Sequence, residues 1–235
     1  MKNKRQIIDK SSSINLTNML NWSQIDTVLL DMDGTLLDLS FDNFFWCEHL
    51  PLEYSRHRKI PLQQAKEILE EFSNSLIGTL EWYCVDHWSE ALQLDVEAAK
   101  RKVKEHIKYR PHTVNFLNFL NQKNKPCILV TNAHPKTMEL KVASTQLHQY
   151  FDKIISSHEF ALAKENEGFW PLLQQRENLQ LSRCLFIDDS KSVLSRARAE
   201  GVGHILQVLH PDTTQVPHPP GDFMSIHDFD ELMPA

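Results

Sequence analysis

"TVLLDMDGTLLDLS", Thr27 to Ser40, runs a stretch of aliphatic side chains into two carboxylates one residue apart and then a glycine. Val28, Leu29 and Leu30 read as a buried strand of a parallel sheet, because such strands are covered on both faces and show continuous aliphatic runs instead of alternation. Side chains at i and i+2 of an extended chain point to the same side, so Asp31 and Asp33 aim two negative charges into one small space. That arrangement is costly unless a cation joins them.

Four further apolar runs resemble the first: CILV at 127–130, KIIS at 153–156, CLFI at 184–187 and HILQVL at 204–209. Helical segments are expected between them at 135–149, 165–179 and 190–200, the last stopped by Gly201. Repeated strand, helix, strand predicts a doubly wound α/β fold with a parallel sheet and right-handed crossovers. One connection breaks the rhythm, because βα loops usually have about 2–6 residues, whereas the chain leaves Asp31 and meets its next apolar run only at Cys127. The intervening sequence is helical in pattern, with one helix opening on Pro61 and another N-capped by Asp95. The expected organisation is an N-terminal extension over 1–21, a core made of 22–38 and 111–235, and an all-helical cap over 39–110. The proline-rich PDTTQVPHPPG near the C-terminus reads as a loop.

Composition narrows the function classes. The 235 residues are 41% hydrophobic and 24% charged, with 25 Lys plus Arg against 31 Asp plus Glu and a net charge of -6. There is no basic stripe with interleaved aromatics, so no nucleic-acid partner is expected. No window nears the ~20 apolar residues that span a bilayer, and the N-terminus lacks the apolar segment of a secretory signal, so no membrane partner and a cytoplasmic location are expected. Cys47, Cys84, Cys127 and Cys184 have no zinc-type spacing and read as reduced core thiols. The twelve histidines form no HxxxH or HExxH pair, and His134 draws notice only from its neighbours in TNAHP.

Ligands of open α/β sheets sit beyond the carboxyl ends of the strands. The first run ends in Asp31 and Asp33, the second in Thr131 and Asn132, the fourth in Asp188 and Asp189, and Lys164 follows the third. In a sheet of order 3-2-1-4-5 these groups converge. Carboxylates without thiolates are hard oxygen ligands suited to Mg²⁺. A hydroxyl, an amide and an ammonium suit an anion, most simply a phosphoryl group. The pair suggests phosphoryl transfer. Singly, each piece is an ordinary turn, N-cap or surface lysine.

DMDGT, VTN, AKE and FIDDS together resemble the four motifs of the haloacid dehalogenase-like (HAD) hydrolase superfamily. Within it, LLDMDGTLLDLSFDNFFW, GTLEWYCVDHWSEAL, LVTNAHP and LFIDDS resemble the branch of bacterial GMP/IMP nucleotidases. The resemblance implies that Asp31 is the nucleophile that forms an aspartyl-phosphate and Asp33 the acid/base. It implies that Thr131 and Lys164 bind the phosphoryl group and assist catalysis, with Asn132 beside them. Asp31, the backbone carbonyl of Asp33, Asp189, and Asp188 directly or through water would ligate Mg²⁺. A frequent form of the fourth motif carries an acid where this chain has Val193, but the paired form also occurs in the superfamily. The implied substrate is a small phosphate monoester, a purine mononucleotide such as IMP or GMP. The same motifs serve a phosphatase or phosphomutase of sugar phosphates or phosphoglycolate. A dehalogenase has no use for Asp33 and the acids at 188 and 189, and a binding module that has lost catalysis would show an eroded site. Trp82, Tyr83, His87 and Trp88 offer faces for a purine, although each, at helical spacing, reads first as core.

Overall fold

The computed structural model describes residues 20–234; apart from its last two residues, the expected N-terminal extension lies outside them. Strand β1 (Thr27–Leu30) has Val28, Leu29 and Leu30 wholly buried. It is the hub of a six-stranded sheet with β2 (Cys127–Thr131), β3 (Lys153–Ser156), β4 (Cys184–Asp188), β5 (His204–Val208) and β6 (Met224–Ile226), in the order β3-β2-β1-β4-β5-β6. Every pairing is parallel, and Leu30 is level with Leu129 on one side and Ile187 on the other. That register brings the ends of β1, β2 and β4 to one edge.

Helices cover both faces. Val28 and Leu30 pack with Phe116 and Leu120 of one helix, Thr113–Gln122, and with Phe229 and Leu232 of the last 3₁₀ turn. On the opposite face Leu29, Val130 and Phe186 meet Phe169, Trp170 and Leu173 of the helix Phe169–Glu177, and Leu194 and Ala197 of the helix Lys191–Ala199. Burying one such side chain contributes about 1.5–3 kcal/mol. Gly201, at φ +98°, follows the last of these helices as expected. The proline-rich segment is a loop, but β6 beyond it is not foreseen by the sequence: three residues without alternation give no periodicity to read.

Between β1 and the helix Thr113–Gln122 the chain makes five helices: α1 (Ser40–Phe44), α2 (Leu50–Arg58), α3 (Leu62–Leu76), α4 (Val85–Leu92) and α5 (Val96–Arg101). They bury their own cluster, including Phe41, Phe45, Leu69, Trp88, Leu92 and Val96. Asp95 caps α5 by accepting from the Ala98 N–H at 2.8 Å. Helix α2 carries Pro51 in its first turn, where a proline's missing N–H is tolerated. A π turn over Phe45–His49, closed by the Leu50 N–H on the Phe45 carbonyl, widens the chain just before a residue that has no N–H to donate. The helices after β1 are joined in the core by α6 (Thr113–Gln122), α7 (Pro135–Thr145), α8 (Phe169–Glu177) and α9 (Lys191–Ala199). Among the described residues no helix is long and apolar enough to cross a membrane.

Candidate active site

Asp31 follows β1 directly and is buried, held by its backbone N–H on the Ile187 carbonyl at 3.1 Å. The chain then folds back: the Leu36 and Leu37 N–H groups donate to the Met32 carbonyl, and Gly34 adopts φ +80°. The Gly34 N–H donates to the Leu37 carbonyl at 2.8 Å. What the glycine permits is a close approach, since a Cβ there would lie 2.6 Å from Asp189 Oδ2.

Lys164 is the electrostatic centre. Only 2% exposed, it donates from Nζ to Asp31 Oδ1 at 2.5 Å, Asp188 Oδ2 at 2.8 Å and the Val130 carbonyl at 3.1 Å. Those anions hold the ammonium well above its usual range against the cost of burial. Its backbone is fixed too: the Lys164 N–H donates to Asn132 Oδ1 at 2.9 Å, and Trp170 Nε1 donates to the Lys164 carbonyl at 3.0 Å. Asn132 Nδ2 donates to Glu165 Oε2 at 2.8 Å, so this amide braces the lysine loop against the end of β2. Thr131 is buried, and its Oγ1 accepts from the Ala133 N–H at 3.0 Å. Its hydroxyl proton stays available for an anion.

Asp188 spends both oxygens, one on Lys164 and the other accepting from the Ser190 N–H at 2.7 Å. Asp189 has no such partners. Burial first, then the charges of Asp188 and Asp31, push its carboxyl well above the usual range. Burial likewise raises Asp31 to about 6, with Lys164 opposing. Ligand oxygens of Asp31, Asp188 and Asp189 lie within 4.8 Å of one another.

Asp33 meets a second buried cation that sequence reasoning missed. Lys141 Nζ of α7 lies 2.7 Å from Asp33 Oδ1 and 2.6 Å from Asp42 Oδ2, and Lys100 Nζ is 3.0 Å from Asp42 Oδ1. Burial raises Asp33 to about 6, while Asp42 between two ammonium groups falls to about 2. No local signal marks Lys141, which sits in a helix of ordinary polar composition. Glu165 also escaped, although it follows Lys164 directly.

These groups floor a cavity of about 750 Å³ whose far walls include Trp82, Tyr83, Leu69, Ser73 and Asn74. Trp88 is buried as expected, packed on Trp46 and Phe72 while also bordering the cavity, whereas Trp82, expected in the core, is 37% exposed and lines the cavity. The hydroxyl of Tyr83, just before α4, donates to Glu165 Oε1 at 2.8 Å, beside Lys164. Of the four cysteines expected in the core, Cys127 and Cys184 are buried there, but Cys47 is exposed and Cys84 half-buried.

A parallel sheet whose carboxyl edge gathers an Asp-x-Asp turn, a threonine, a lysine and an acid pair defines a hydrolase of the α/β class that acts on an anionic ester. Comparison with known proteins makes this specific. Residues 25–198 match the model of the haloacid dehalogenase-like hydrolases, and the chain belongs to that family. It is 37% identical over 214 residues to the GMP/IMP nucleotidase YrfG of Escherichia coli, covering 91% of this chain and 96% of that protein. Among solved structures it is similar to a HAD phosphatase from Thermococcus onnurineus, with TM-score 0.74, 21% identity and coverage of 88% and 96%. It is also similar to the Bacillus subtilis HAD-hydrolase YfnB bound to magnesium, with TM-score 0.63, 19% identity and the same coverage. The chain is a phosphoric monoester hydrolase.

Proposed function

We propose that the protein is a Mg²⁺-dependent 5'-nucleotidase that hydrolyses purine nucleoside monophosphates, IMP and GMP, through an aspartyl-phosphate on Asp31, with residues 39–110 as its cap and 22–38 and 111–235 as its core. The observation that carries this reading is the convergence of Asp31, Asp33, Thr131 and Lys164 on one cavity, roofed by Trp82 and Tyr83. The 37% identity to a GMP/IMP nucleotidase supports the substrate.

The donor set fits Mg²⁺. Asp31, Asp188 and Asp189 are three acids within one small space facing one ammonium, a net charge that a hard dication balances. Asp31, Asp189 and the Asp33 carbonyl would hold it, with Asp188, already bound to Lys164 and the Ser190 N–H, in the outer sphere. When bound, the ion offsets the repulsion between carboxylate and phosphate.

Lys164 orients Asp31 for attack on phosphorus, and Thr131 with Lys164 binds the phosphoryl oxygens. Asp33, raised to about 6 and steadied by Lys141, protonates the leaving ribose oxygen and later takes a proton from the water that hydrolyses the acyl phosphate. Acid/base assistance of this kind is worth ~10²–10⁴ in rate. Trp82 supplies a face for the purine, and the cap excludes bulk water.

The test is inorganic phosphate release from a panel of 5'-mononucleotides and small sugar phosphates, with Mg²⁺ and with EDTA. Mg²⁺-dependent release that is fastest with IMP and GMP is expected. Release from sugar phosphates alone would overturn the substrate, and full activity in EDTA would overturn the metal.

A further inference from the structure

A second group of ligand atoms stands apart from the acids, on the seam between cap and core. Cys84, His134 and His158 each offer an atom within 4.8 Å of the others. They come from three separate elements: Cys84 is the residue before α4 in the cap, His134 precedes α7, and His158 lies in the 3₁₀ turn after β3. Their sequence separation explains why no zinc-type spacing is visible.

Each side chain is disposed as a ligand would be. The His158 ring is held by a hydrogen bond to the Asn132 backbone carbonyl, and its Nε2 is buried with no partner. A ring nitrogen fixed on a carbonyl while the other is bare is the arrangement that orients metal-bound histidines. An orphaned buried nitrogen is otherwise a net cost. His134 stands edge-on to His158 with ring centroids 4.9 Å apart, and its Nδ1 accepts only a long 3.4 Å bond from the Lys136 N–H. Cys84 is a half-buried free thiol. Asp86, 3.7 Å from His134 Nε2, and Glu81, which acts on His158, add negative charge nearby.

We propose that Cys84, His134 and His158 form a metal site for a thiophilic divalent cation such as Zn²⁺, which staples the cap to the core and slows turnover. One thiolate and two imidazoles select such an ion over Mg²⁺. Tetrahedral bonds of about 2.3 Å to sulfur and 2.0–2.1 Å to nitrogen need ligand atoms closer than the present spread, a contraction that side-chain torsions supply. Binding releases the Cys84 thiol proton to solvent and leaves the fourth position to water. The staple acts beside the proposed chemistry: Tyr83, next to Cys84, is bonded to Glu165, and His134 and His158 flank Asn132. With the cation bound, the cap stays closed and product leaves slowly.

The test uses metal-stripped full-length protein saturated with Mg²⁺, to which Co²⁺ is added as a spectroscopic probe. One equivalent should produce a thiolate-to-cobalt charge-transfer band that is lost in Cys84→Ser and in His158→Gln and kept in Cys47→Ser. Zn²⁺ should inhibit hydrolysis of p-nitrophenyl phosphate several-fold in the wild type and not in Cys84→Ser, whose activity without Zn²⁺ is unchanged. The proposal is overturned by absence of the band, by its survival in Cys84→Ser, by its loss in Cys47→Ser, or by equal Zn²⁺ inhibition of wild type and Cys84→Ser. Cys84→Ser is nearly isosteric, so it keeps the test decisive if His158→Gln does not fold. The cobalt spectrum needs no turnover, which separates failure of this site from failure of the nucleotidase reading.

Discussion

Replacing Lys141 by methionine removes the buried ammonium between Asp33 and Asp42 while keeping the volume of the side chain. Lys141 is 1% exposed and lies 2.7 Å from one carboxylate and 2.6 Å from the other. Breaking a buried ion pair from one side costs about 3–5 kcal/mol. Two features place this case at the lower end. Asp42 keeps Lys100 at 3.0 Å, and the Asp33 side chain is 22% exposed and already titrates at about 6. A loss of about 3 kcal/mol near pH 8, at about 2–4 °C per kcal/mol for a chain of this size, lowers Tm by about 6–12 °C.

The pH dependence of that loss follows from the direction of the Asp33 shift. Burial holds its folded carboxyl at about 6, above the ordinary range, and taking away the Lys141 attraction raises it further. At pH 8 the wild type has a charged, paired Asp33 and the variant an unpaired one. Once the pH has fallen below about 6, both proteins carry it neutral. The deficit therefore shrinks toward pH 5, by about 1.4 kcal/mol for each pH unit by which the midpoint rises. Thermal melts followed by circular dichroism at pH 5 and pH 8 measure both quantities. An equal Tm deficit at the two pH values, or one below about 2 °C at pH 8, would refute the placement of Lys141 as the partner of Asp33.

Asp31→Asn should reduce phosphate release at least ~10³-fold while the melting curve stays cooperative, because Lys164 keeps Asp188 as a partner; wild-type-like turnover would remove Asp31 as nucleophile. Gly34→Ala forces a side chain into the left-handed region and against Asp189, so a stability loss of about 1–3 kcal/mol and a Mg²⁺ affinity lowered about 10–100-fold are expected in denaturant and metal titrations. Metal affinity equal to the wild type would contradict the close approach of that turn to Asp189. Tyr83→Phe deletes the hydrogen bond to Glu165, worth about 0.5–1.5 kcal/mol. Steady-state kinetics should show KM raised by a corresponding factor of about 2–10, and unchanged constants would mean that the contact does not form during turnover.

The aliphatic run before Asp31, its counterparts before Thr131 and Asp188, and the length of helical sequence between the first two determined the class of fold and the helical segment that follows β1. They could do so because a strand buried on both faces must be aliphatic throughout, whatever its partners. The acids and the threonine were legible for a related reason: each lies at or just past a strand end, and in a parallel sheet every such end reaches the same edge, while Lys164 follows β3 after a short 3₁₀ turn. Short or interrupted elements left no such trace. Strand β6 is three residues long, and α2 begins at Leu50, just after a π turn and one residue before Pro51. Tertiary structure alone decided which charges meet. Lys141 is an unremarkable helix lysine until packing buries it between Asp33 and Asp42, and Cys84, His134 and His158 are unrelated residues until the fold brings them within 4.8 Å of one another. Periodicity records which face of an element is buried, whereas a contact between groups distant in the chain is set by how whole elements dock, and local sequence does not carry that information.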